Sequence, residues 1–442
     1  MPTLAEILDA RELRAEKQKA LLAEFQKPLV CFTMNIAGPE KWNHAISIGF
    51  FVGCQLLKDA LGRHVLRKEV SITPAGPEGY FVADLPPKEL KSLCISLEES
   101  HISSRLFDMD VLDTDGQKIL REELGAQKRK CLLCQQDAVL CASRRAHSLS
   151  QLQERTDFLL YVAARELFAE YIGAQAYLAL HAEVQATPKP GLVDRNNRGA
   201  HTDMDMRHFF ISANTLRSYF VKFAEAGYLT AHLPPKETFH KIRAIGIEAE
   251  KAMLEATGGV NTHKGAIFSL GLMCAAAGRV PPHLWQAETL CGEIAAMTAG
   301  IVQGDMAEKS AETATTFGQK LYFAHGLTGV RGEAEGGFQV VANTALPTLR
   351  KALHSGLSEN DALCVTLLHI IAATDDTNLI HRGGRETQLE IKQKVARMVE
   401  DNPFPTMEEI YQLDEYFIEK NLSPGGSADL LALTWLLHIL TQ

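Results

Sequence analysis

The stretch LFDMDVLDTDGQKIL, residues 106–120, is the last part of the chain with a clear strand pattern. Its apolar and acidic residues alternate, which is typical of a half-buried β-strand, and Asp115-Gly116 predicts the turn of a hairpin. Upstream, PLVCFTMNI, HVLRKEVSITP and EGYFVADL are further strand candidates, while residues 39–61 and the segment after Pro86-Pro87 have apolar residues at helical spacing. This part of the chain is predicted to be α+β.

Long helical patterns replace the strand pattern beyond about residue 153. We predict helices at residues 156–184, 204–226, 239–256, 266–277, 282–306, 338–356, 361–373 and 429–440. The fold class predicted for the chain is therefore multidomain, with an α+β N-terminal domain at residues 1–152 followed by a larger all-α C-terminal domain at residues 153–442. The boundary depends on the change of pattern alone, because no linker rich in Pro and Ser separates the two parts.

Composition excludes several classes of protein. The 442 residues are 46% hydrophobic and 22% charged, which is ordinary for a soluble globular chain, and the formal charge of -9 argues against non-specific binding to nucleic acid or to an anionic membrane. The N-terminus has no uninterrupted apolar segment, so neither a signal peptide nor a membrane span is predicted there, and a cytoplasmic location is expected. The nine cysteines are expected to be reduced thiols.

One local segment departs from the acidic average. Residues 117–155 have eight Lys or Arg residues against four acids, a net charge of +4. This segment predicts a surface that attracts an acidic partner.

Compact polar loops with glycines separate the predicted helices at residues 186–205, 258–265, 325–337, 374–386 and 421–429. Several of them lead directly into a helix, where free backbone N–H groups bind anions. In GGVNTHKG, His263 and Lys264 stand beside such a helix start and predict a phosphate site. A glycine turn with a solvated lysine is the alternative.

Two acidic pairs also lie in these polar loops. Asp203 and Asp205 flank Met204 at the start of a predicted helix, where either a capping role or a ligand-binding role fits. Asp375 and Asp376, followed by Arg382 and Arg385, predict a site for Mg²⁺ and a polyphosphate, with a surface salt-bridge cluster as the alternative.

A third acidic pair lies in the predicted hairpin. The period of two along a strand places Asp108 and Asp110 on the same face, where a cation between them would offset their repulsion. We predict that they bind Mg²⁺ for attack on a phosphorus atom, with Arg105 close enough to reach phosphate, although exposed strand acids are an alternative.

A cysteine pattern, Cys131-x2-Cys134-x6-Cys141 with His147, begins like a zinc site but has no second close ligand pair. Reduced thiols are the expectation, and zinc stays open.

The motifs together resemble two enzyme families. The segments TPKPGLVDRNNRGAHTDMD, GGVNTHKGAIFSLG, GVRGEAEGGF, TDDTNLIHRGG and SPGGSADLLALT look like triphosphoribosyl-dephospho-coenzyme A synthase, over nearly all of residues 155–442. The segments SRLFDMDVLD and KRKCLLC…CASRRAH are similar to apo-citrate lyase phosphoribosyl-dephospho-coenzyme A transferase. The chain thus resembles a fusion of the two families.

This resemblance implies two reactions. In the first, the ribose 2′-hydroxyl of 3′-dephospho-coenzyme A displaces adenine from the anomeric carbon of ATP. In the second, a serine of the acyl carrier (gamma) subunit of apo-citrate lyase attacks the innermost phosphorus of the product and pyrophosphate leaves. The implied cofactor is Mg²⁺, and the basic segment gains a partner because carrier proteins of this kind are acidic. Neither nucleic acid nor a membrane is an expected partner.

The resemblance also gives the candidate residues roles. The expected catalytic residues are Asp203, Asp205, Asp375 and Asp376. The expected metal ligands are Asp108, Asp110, Asp205 and Asp376. The expected substrate-binding residues are Lys189, Arg195, Arg198, His263, Lys264, Arg331, Arg382, Arg105 and Arg129.

Two other functions are compatible with the sequence. The four residues TDDT also resemble ADP-ribosylglycohydrolases, which implies the alternative of an N-ribosyl hydrolase with water in place of the hydroxyl acceptor. A non-catalytic nucleotide-binding adaptor for a carrier protein is the other alternative.

Overall fold

The computed structural model describes residues 3–306, 310 and 312–442. The chain forms two compact units, an N-terminal unit of Met1–Phe168 with Pro281–His283 and a C-terminal unit of Ala169–Val280 with Leu284–Gln442. The first contains both strands and helices, and the part of the second that the structure describes is helical. The predicted fold class is confirmed. The predicted boundary after residue 152 lies within a helix, Leu149–Ala163.

The N-terminal unit is built on an antiparallel sheet of five strands in the order β2-β3-β1-β4-β5. The strands are β1 (Leu29–Met34), β2 (Val65–Thr73), β3 (Gly76–Ala83), β4 (Phe107–Leu112) and β5 (Lys118–Ile119). The hairpin predicted around Asp115-Gly116 is confirmed, because β4 and β5 pair through Val111 with Ile119 and Leu112 with Lys118. Within β4 every second residue is buried, so Asp108 and Asp110 share the more exposed face, as predicted.

Helices cover this sheet and extend beyond it. They are α1 (Leu4–Phe25), α2 (His44–Leu61), α3 (Pro87–Glu99), α4 (Ala138–Ser143) and α5 (Leu149–Ala163). The proline pair starts α3 as predicted, with Pro87 in the first turn where a missing N–H costs little. The core between helix and sheet includes the fully buried rings of Phe32 and Phe107, which meet edge to face. The segment His44–His64 is long and apolar enough to cross a membrane, but 56% of it is buried within the protein, as in a core helix.

The C-terminal unit consists of helices packed around two apolar ones. The helices are α6 (Ala169–Gln185), α7 (Met206–Leu229), α8 (Pro235–Ala256), α9 (Lys264–Arg279), α10 (Ala287–Thr298), α11 (Ile301–Met306), α12 (Phe317–His325), α13 (Gly329–Glu335), α14 (Leu346–His354), α15 (Glu359–Ala373), α16 (Thr377–Asp401), α17 (Met407–Glu419) and α18 (Gly425–Leu440). Most residues of α15 and α18 are buried, which explains their nearly continuous apolar sequence.

The structure corrects several of the sequence predictions. The helix predicted at 282–306 is interrupted between α10 and α11, where Gly300 has a φ of 83° that ends a right-handed helix. The loop predicted at 374–386 is mostly the first part of α16, and part of the loop predicted at 325–337 is α13. The glycines in these segments suggested loops, but the cap at Asp376 starts α16 ahead of them. Gly384, with a φ of 83°, then kinks α16, and Gly329 has a φ of 56° at the start of α13.

Candidate functional site

A cavity of about 860 Å³ lies within the C-terminal unit where α9, α16 and α18 begin. Its wall includes seven of the residues that the sequence singles out, namely Lys189, Asp203, His263, Lys264, Asp375, Asp376 and Arg382. Helix N-termini carry partial positive charge and N–H donors, so three of them at one cavity favour an anionic ligand.

Asp376 fixes two of these helix starts. One carboxylate oxygen accepts hydrogen bonds from the N–H groups of Asn378 (2.8 Å) and Leu379 (3.2 Å) at the start of α16. The other accepts from the N–H (2.7 Å) and the hydroxyl (2.9 Å) of Ser427 in the first turn of α18. Burial raises the pKa of Asp376, although these hydrogen bonds act in the opposite direction. The carboxylate therefore ties two cavity-lining helices together.

Asp375 faces a different set of partners. Its carboxylate lies 3.2 Å from Arg385 Nη2 and 3.0 Å from Lys392 Nζ. Burial acts to raise the pKa of Asp375, but the hydrogen bonds from these two cations outweigh it and the pKa lies below its usual value. Asp375 is thus a charged carboxylate held between two cations, in agreement with the salt-bridge alternative.

Asp429 is a further acid in the cavity wall that the sequence analysis did not select. Burial, followed by the nearby carboxylates of Glu183 and Asp376, raises the pKa of Asp429 well above its ordinary value. Its carboxylate receives the N–H of Ala266 and lies against Gly265 at the start of α9. A carboxyl group with a raised pKa in a cavity is a candidate acid or base.

Lys189 and His263 are both buried in the cavity wall. The Lys189 ammonium forms an ion pair with Glu183, a partner that the sequence analysis did not identify. His263 Nδ1 lies 2.7 Å from the Ser212 hydroxyl, whereas its buried Nε2 has no hydrogen-bond partner among the described residues. Burial, followed by the charge of Lys189, lowers the pKa of His263 to about 3, so its ring is neutral at physiological pH.

The loop at 186–205 is organised around the buried carboxylate of Asp194. Asp194 accepts hydrogen bonds from the Thr187 hydroxyl (2.7 Å) and from the N–H groups of Lys189 (3.0 Å), Asn196 (2.7 Å) and Asn197 (3.0 Å). This network gives the loop one conformation and directs Lys189 inward.

Lys264, Arg382 and Asp203 lie on more open parts of the cavity. Lys264 is the first residue of α9, and its ammonium pairs with Glu250. Arg382 donates to the carbonyl of Ala200 (2.8 Å), which joins α16 to the end of the loop. The Asp203 side chain is 63% exposed.

Four other predicted residues are not in the described wall of this cavity. Asp205 caps α7 by accepting from the N–H groups of Arg207 and His208. Arg198 lies 3.5 Å from Asp205, and the exposed Arg195 donates to Asn360 (2.7 Å). Arg331 is exposed on α13, between the cavity-lining residues Val330 and Glu333.

In the N-terminal unit, each acid of β4 has a cationic partner. Asp108 lies 3.0 Å from Arg129 Nη1, and Asp110 lies 2.7 Å from Lys118 Nζ. These cations offset the repulsion that the sequence analysis assigned to a metal ion. A magnesium ion bound between Asp108 and Asp110 would compete with Arg129 and Lys118 for the two carboxylates.

A second cavity, of about 320 Å³, lies beside these residues in the same unit. Its wall is basic, with Arg105, Arg121, Lys128, Arg129 and Lys130 against Glu98 and Glu99. Arg105 donates to the carbonyls of Lys130 (2.9 Å) and Cys131 (2.7 Å), and Arg129 donates to the carbonyl of Phe107. The basic segment is therefore anchored along the edge of the sheet that carries the acidic pair.

Comparisons with known proteins assign each unit to a family. Residues 169–442 match the family described as ATP:dephospho-CoA triphosphoribosyl transferase (CitG). Residues 2–161 match the family described as apo-citrate lyase phosphoribosyl-dephospho-CoA transferase (CitX).

Two relatives span nearly the whole chain, and a third covers part of it. Protein CitXG of Haemophilus influenzae is 36% identical over 98% of this chain and 95% of its own length. Protein CitXG of Leuconostoc mesenteroides is 34% identical over 98% of this chain and 96% of its own length. The 2-(5''-triphosphoribosyl)-3'-dephosphocoenzyme-A synthase of Pectobacterium atrosepticum is 42% identical over 68% of this chain and 96% of its own length.

The chain is accordingly a bifunctional transferase. It belongs to the family of CitXG fusions, in which an apo-citrate lyase phosphoribosyl-dephospho-CoA transferase precedes an ATP:dephospho-CoA triphosphoribosyl transferase.

Proposed function

We propose that the C-terminal unit converts ATP and 3′-dephospho-CoA into 2′-(5″-triphosphoribosyl)-3′-dephospho-CoA and adenine. The observation that carries this proposal is the cavity of about 860 Å³ in which three helix N-termini meet the high-pKa carboxyl group of Asp429. The names of the relatives support the same substrates.

The reaction is a glycosyl transfer. A bond forms between the 2′-oxygen of dephospho-CoA and the anomeric carbon of the ATP ribose, while the bond from that carbon to adenine breaks. The proton of the attacking hydroxyl goes to a base, and the departing adenine takes up a proton. Such a reaction requires a bound triphosphate, a positioned base and negative charge near an oxocarbenium-like centre.

Asp429 fits the role of base best among the carboxylates of the cavity. Asp376 already accepts four hydrogen bonds and Asp375 is held by Arg385 and Lys392. A base is most effective when its pKa lies near the working pH, and the pKa of Asp429 is raised in that direction. Asp203, on the open side, adds negative charge near the ribose.

The charge of the cavity fits a divalent cation. Its wall has six acids, Glu183, Asp203, Glu333, Asp375, Asp376 and Asp429, against four cations, Lys189, Lys264, Arg382 and Lys392. A triphosphate would be repelled by this excess of acids unless a cation entered with it. Mg²⁺ would neutralise phosphate charge, and Asp203 on the open side would hold it, because Mg²⁺ in phosphate sites needs only one or two protein carboxylates.

The chain's own cations complete the phosphate site. Lys264 lies at the N-terminus of α9, and Arg382 and Lys392 lie along α16. The buried Nε2 of His263 is close to the start of α9 and can hydrogen-bond to a ligand in the cavity. Four predicted residues could contact the substrate only from outside the described cavity wall, namely Arg195, Arg198, Arg331 and Asp205.

The N-terminal unit, in this proposal, transfers phosphoribosyl-dephospho-CoA to a serine of the acyl carrier subunit of apo-citrate lyase in the cytoplasm. The serine oxygen bonds to the innermost phosphorus and pyrophosphate leaves. Asp108 and Asp110 fit an oxygen-ligand site for Mg²⁺, which would stabilise charge on the phosphorus oxygens. Arg129 and Arg105 would contact the phosphates, and Lys128 and Lys130 would attract the acidic carrier.

Adenine release by the full chain tests the synthase proposal against its rivals. With ATP and Mg²⁺ present, we expect adenine only when 3′-dephospho-CoA is added. Adenine formed at the same rate without dephospho-CoA would identify an N-ribosyl hydrolase. No adenine under any condition, with ATP still bound, would identify a non-catalytic adaptor.

A further inference from the structure

Four potential metal ligands meet in the N-terminal unit, and none of them lines either cavity. The Sγ atoms of Cys131, Cys134 and Cys141 and a ring nitrogen of His147 all lie within 4.8 Å of one another. Cys131 Sγ is 3.4 Å from Cys141 Sγ, and His147 Nε2 is 3.4 Å from Cys134 Sγ. We propose that these residues bind one structural Zn²⁺ ion.

The distances are close to those of a closed tetrahedral site. With Zn–S bonds of about 2.3 Å, two thiolates at tetrahedral angles lie about 3.8 Å apart, so small movements would bring these ligands around one ion. Three thiolates and an imidazole are a frequent donor set of structural zinc, and their softness disfavours Mg²⁺ or Ca²⁺. Binding would release the three thiol protons.

The backbone around Cys131 has the form of a metal-binding turn. The N–H of Cys131 donates to Gln136 O (2.8 Å), and Lys130 and Asp137 form an isolated bridge that closes the turn. Inside it, the N–H groups of Leu133 and Cys134 point at Cys131 Sγ. These donors stabilise a thiolate at that position.

A short helix supplies the other ligands. Asp137 caps α4, which carries Cys141, and a left-handed residue, Arg145 with φ 49°, turns the chain back after the helix. Ala146 N–H then donates to Cys141 O (3.1 Å), and His147 follows at once. This turn brings together the ligand pair that the linear spacing did not indicate.

The segment buries few apolar side chains of its own. Between residues 121 and 148, Cys131 and Cys141 are the two buried residues, and nearby apolar side chains such as Val139 are exposed. Segments that cannot bury an apolar core are commonly stabilised by a metal or a disulfide. A disulfide between Cys131 and Cys141 would leave Cys134 and His147 without a role.

The ion would hold the basic wall of the smaller cavity in place. Arg105 donates to the carbonyls of Lys130 and Cys131, and the turn is continuous with Arg129, which pairs with Asp108. Loss of zinc should therefore disturb Arg129 and the carrier-binding lysines. This expectation for transfer depends on the proposed function, whereas the metal site itself does not.

The direct experiment is elemental analysis of the untagged full chain, purified under reducing conditions. We expect one zinc per chain in the wild type and in a Cys364→Ala control, and a loss of most zinc in Cys134→Ser and His147→Ala. His147→Cys should retain zinc because it replaces one ligand by another. Zinc content unchanged in Cys134→Ser and His147→Ala would overturn the site.

A second measurement on the wild type alone covers the case in which the variants do not fold. The chain should be stripped of metal under reducing conditions and titrated with Co²⁺. We expect sulfur-to-cobalt charge-transfer bands and tetrahedral ligand-field bands at one equivalent, with displacement by Zn²⁺. Absence of these bands, or a Cys131–Cys141 disulfide in freshly purified protein, would overturn the proposal.

The metal site and the proposed function can fail separately. A metal that is present while adenine release or carrier transfer fails would count against the proposed function and not against the site.

Discussion

The carboxylate of Asp429 lies directly against the Cα of Gly265. A Cβ placed on Gly265 would come within 1.9 Å of Asp429 Oδ2 and 2.8 Å of its Cγ, much closer than any real contact. Gly265 is the second residue of α9, so the absence of a side chain there lets the acid reach the helix N-terminus. The position of the Asp429 carboxylate and the conformation of the first turn of α9 therefore depend on each other.

Gly265→Ala should displace either Asp429 or the first turn of α9. We expect a fall in adenine release of about a hundredfold, the order that follows from misplacing a reacting group. Gly292→Ala is the matched control, because it also lies in a helix, α10, and its Cβ would meet nothing within 4 Å. Equal activity of the two variants would show that the contact has no part in the reaction.

Asp429→Asn should change the pH dependence of stability. Because the folded-state pKa of Asp429 is raised above 3.8, its contribution to stability is present at low pH and is lost as the pH rises through the raised pKa. Asparagine does not ionise, so the melting temperature of the variant should rise relative to that of the wild type as the pH increases above about 4.

Thermal unfolding over that range is the measurement, with Asp401→Asn, an exposed acid at the end of α16, as the control. The control should follow the wild type at every pH. A constant difference between Asp429→Asn and the wild type would mean that Asp429 ionises as an ordinary carboxyl group.

Asp376→Asn should reduce both stability and adenine release. An asparagine has one acceptor oxygen, so its amide NH₂ would face donors at the start of α16 or α18, at a cost of about 1–3 kcal/mol. Denaturant unfolding of this variant beside Asp375→Asn, whose native partners are Arg385 and Lys392, measures the difference. If Asp376→Asn keeps the stability of the wild type, the carboxylate does not tie the two helices together.

Features that depend on local sequence were predictable. The hairpin of β4 and β5 and the shared face of Asp108 and Asp110 follow from alternation over a few residues and one turn. Local sequence did not predict the start of α16 after Asp375 and Asp376. An aspartate followed by glycines has the same local sequence pattern in a loop and at a helix start.

Features that depend on distant residues were not predictable. Asp429 looked like an ordinary acid in a helix, and its raised pKa comes from burial and from Glu183 and Asp376, which are remote in sequence. The ion pair of Lys189 with Glu183 is hidden in the same way, because the loop organised by Asp194 turns Lys189 inward.

The central claim, that adenine displacement and carrier attachment occur at separate sites, is tested most directly by Asp110→Asn in the full chain. Adenine release and the mass of the carrier subunit are measured in the same reaction, beside Asp115→Asn, an exposed acid in the same hairpin. Asp110 pairs with Lys118 in the N-terminal unit, so its loss should leave the larger cavity intact.

We expect Asp110→Asn to release adenine at the wild-type rate while attachment to the carrier serine falls by about a hundredfold or more, the order for one charge-stabilising group. Asp115→Asn should support both reactions. Loss of adenine release in a folded Asp110→Asn protein would contradict the account and would place the β4 acids in the synthase reaction.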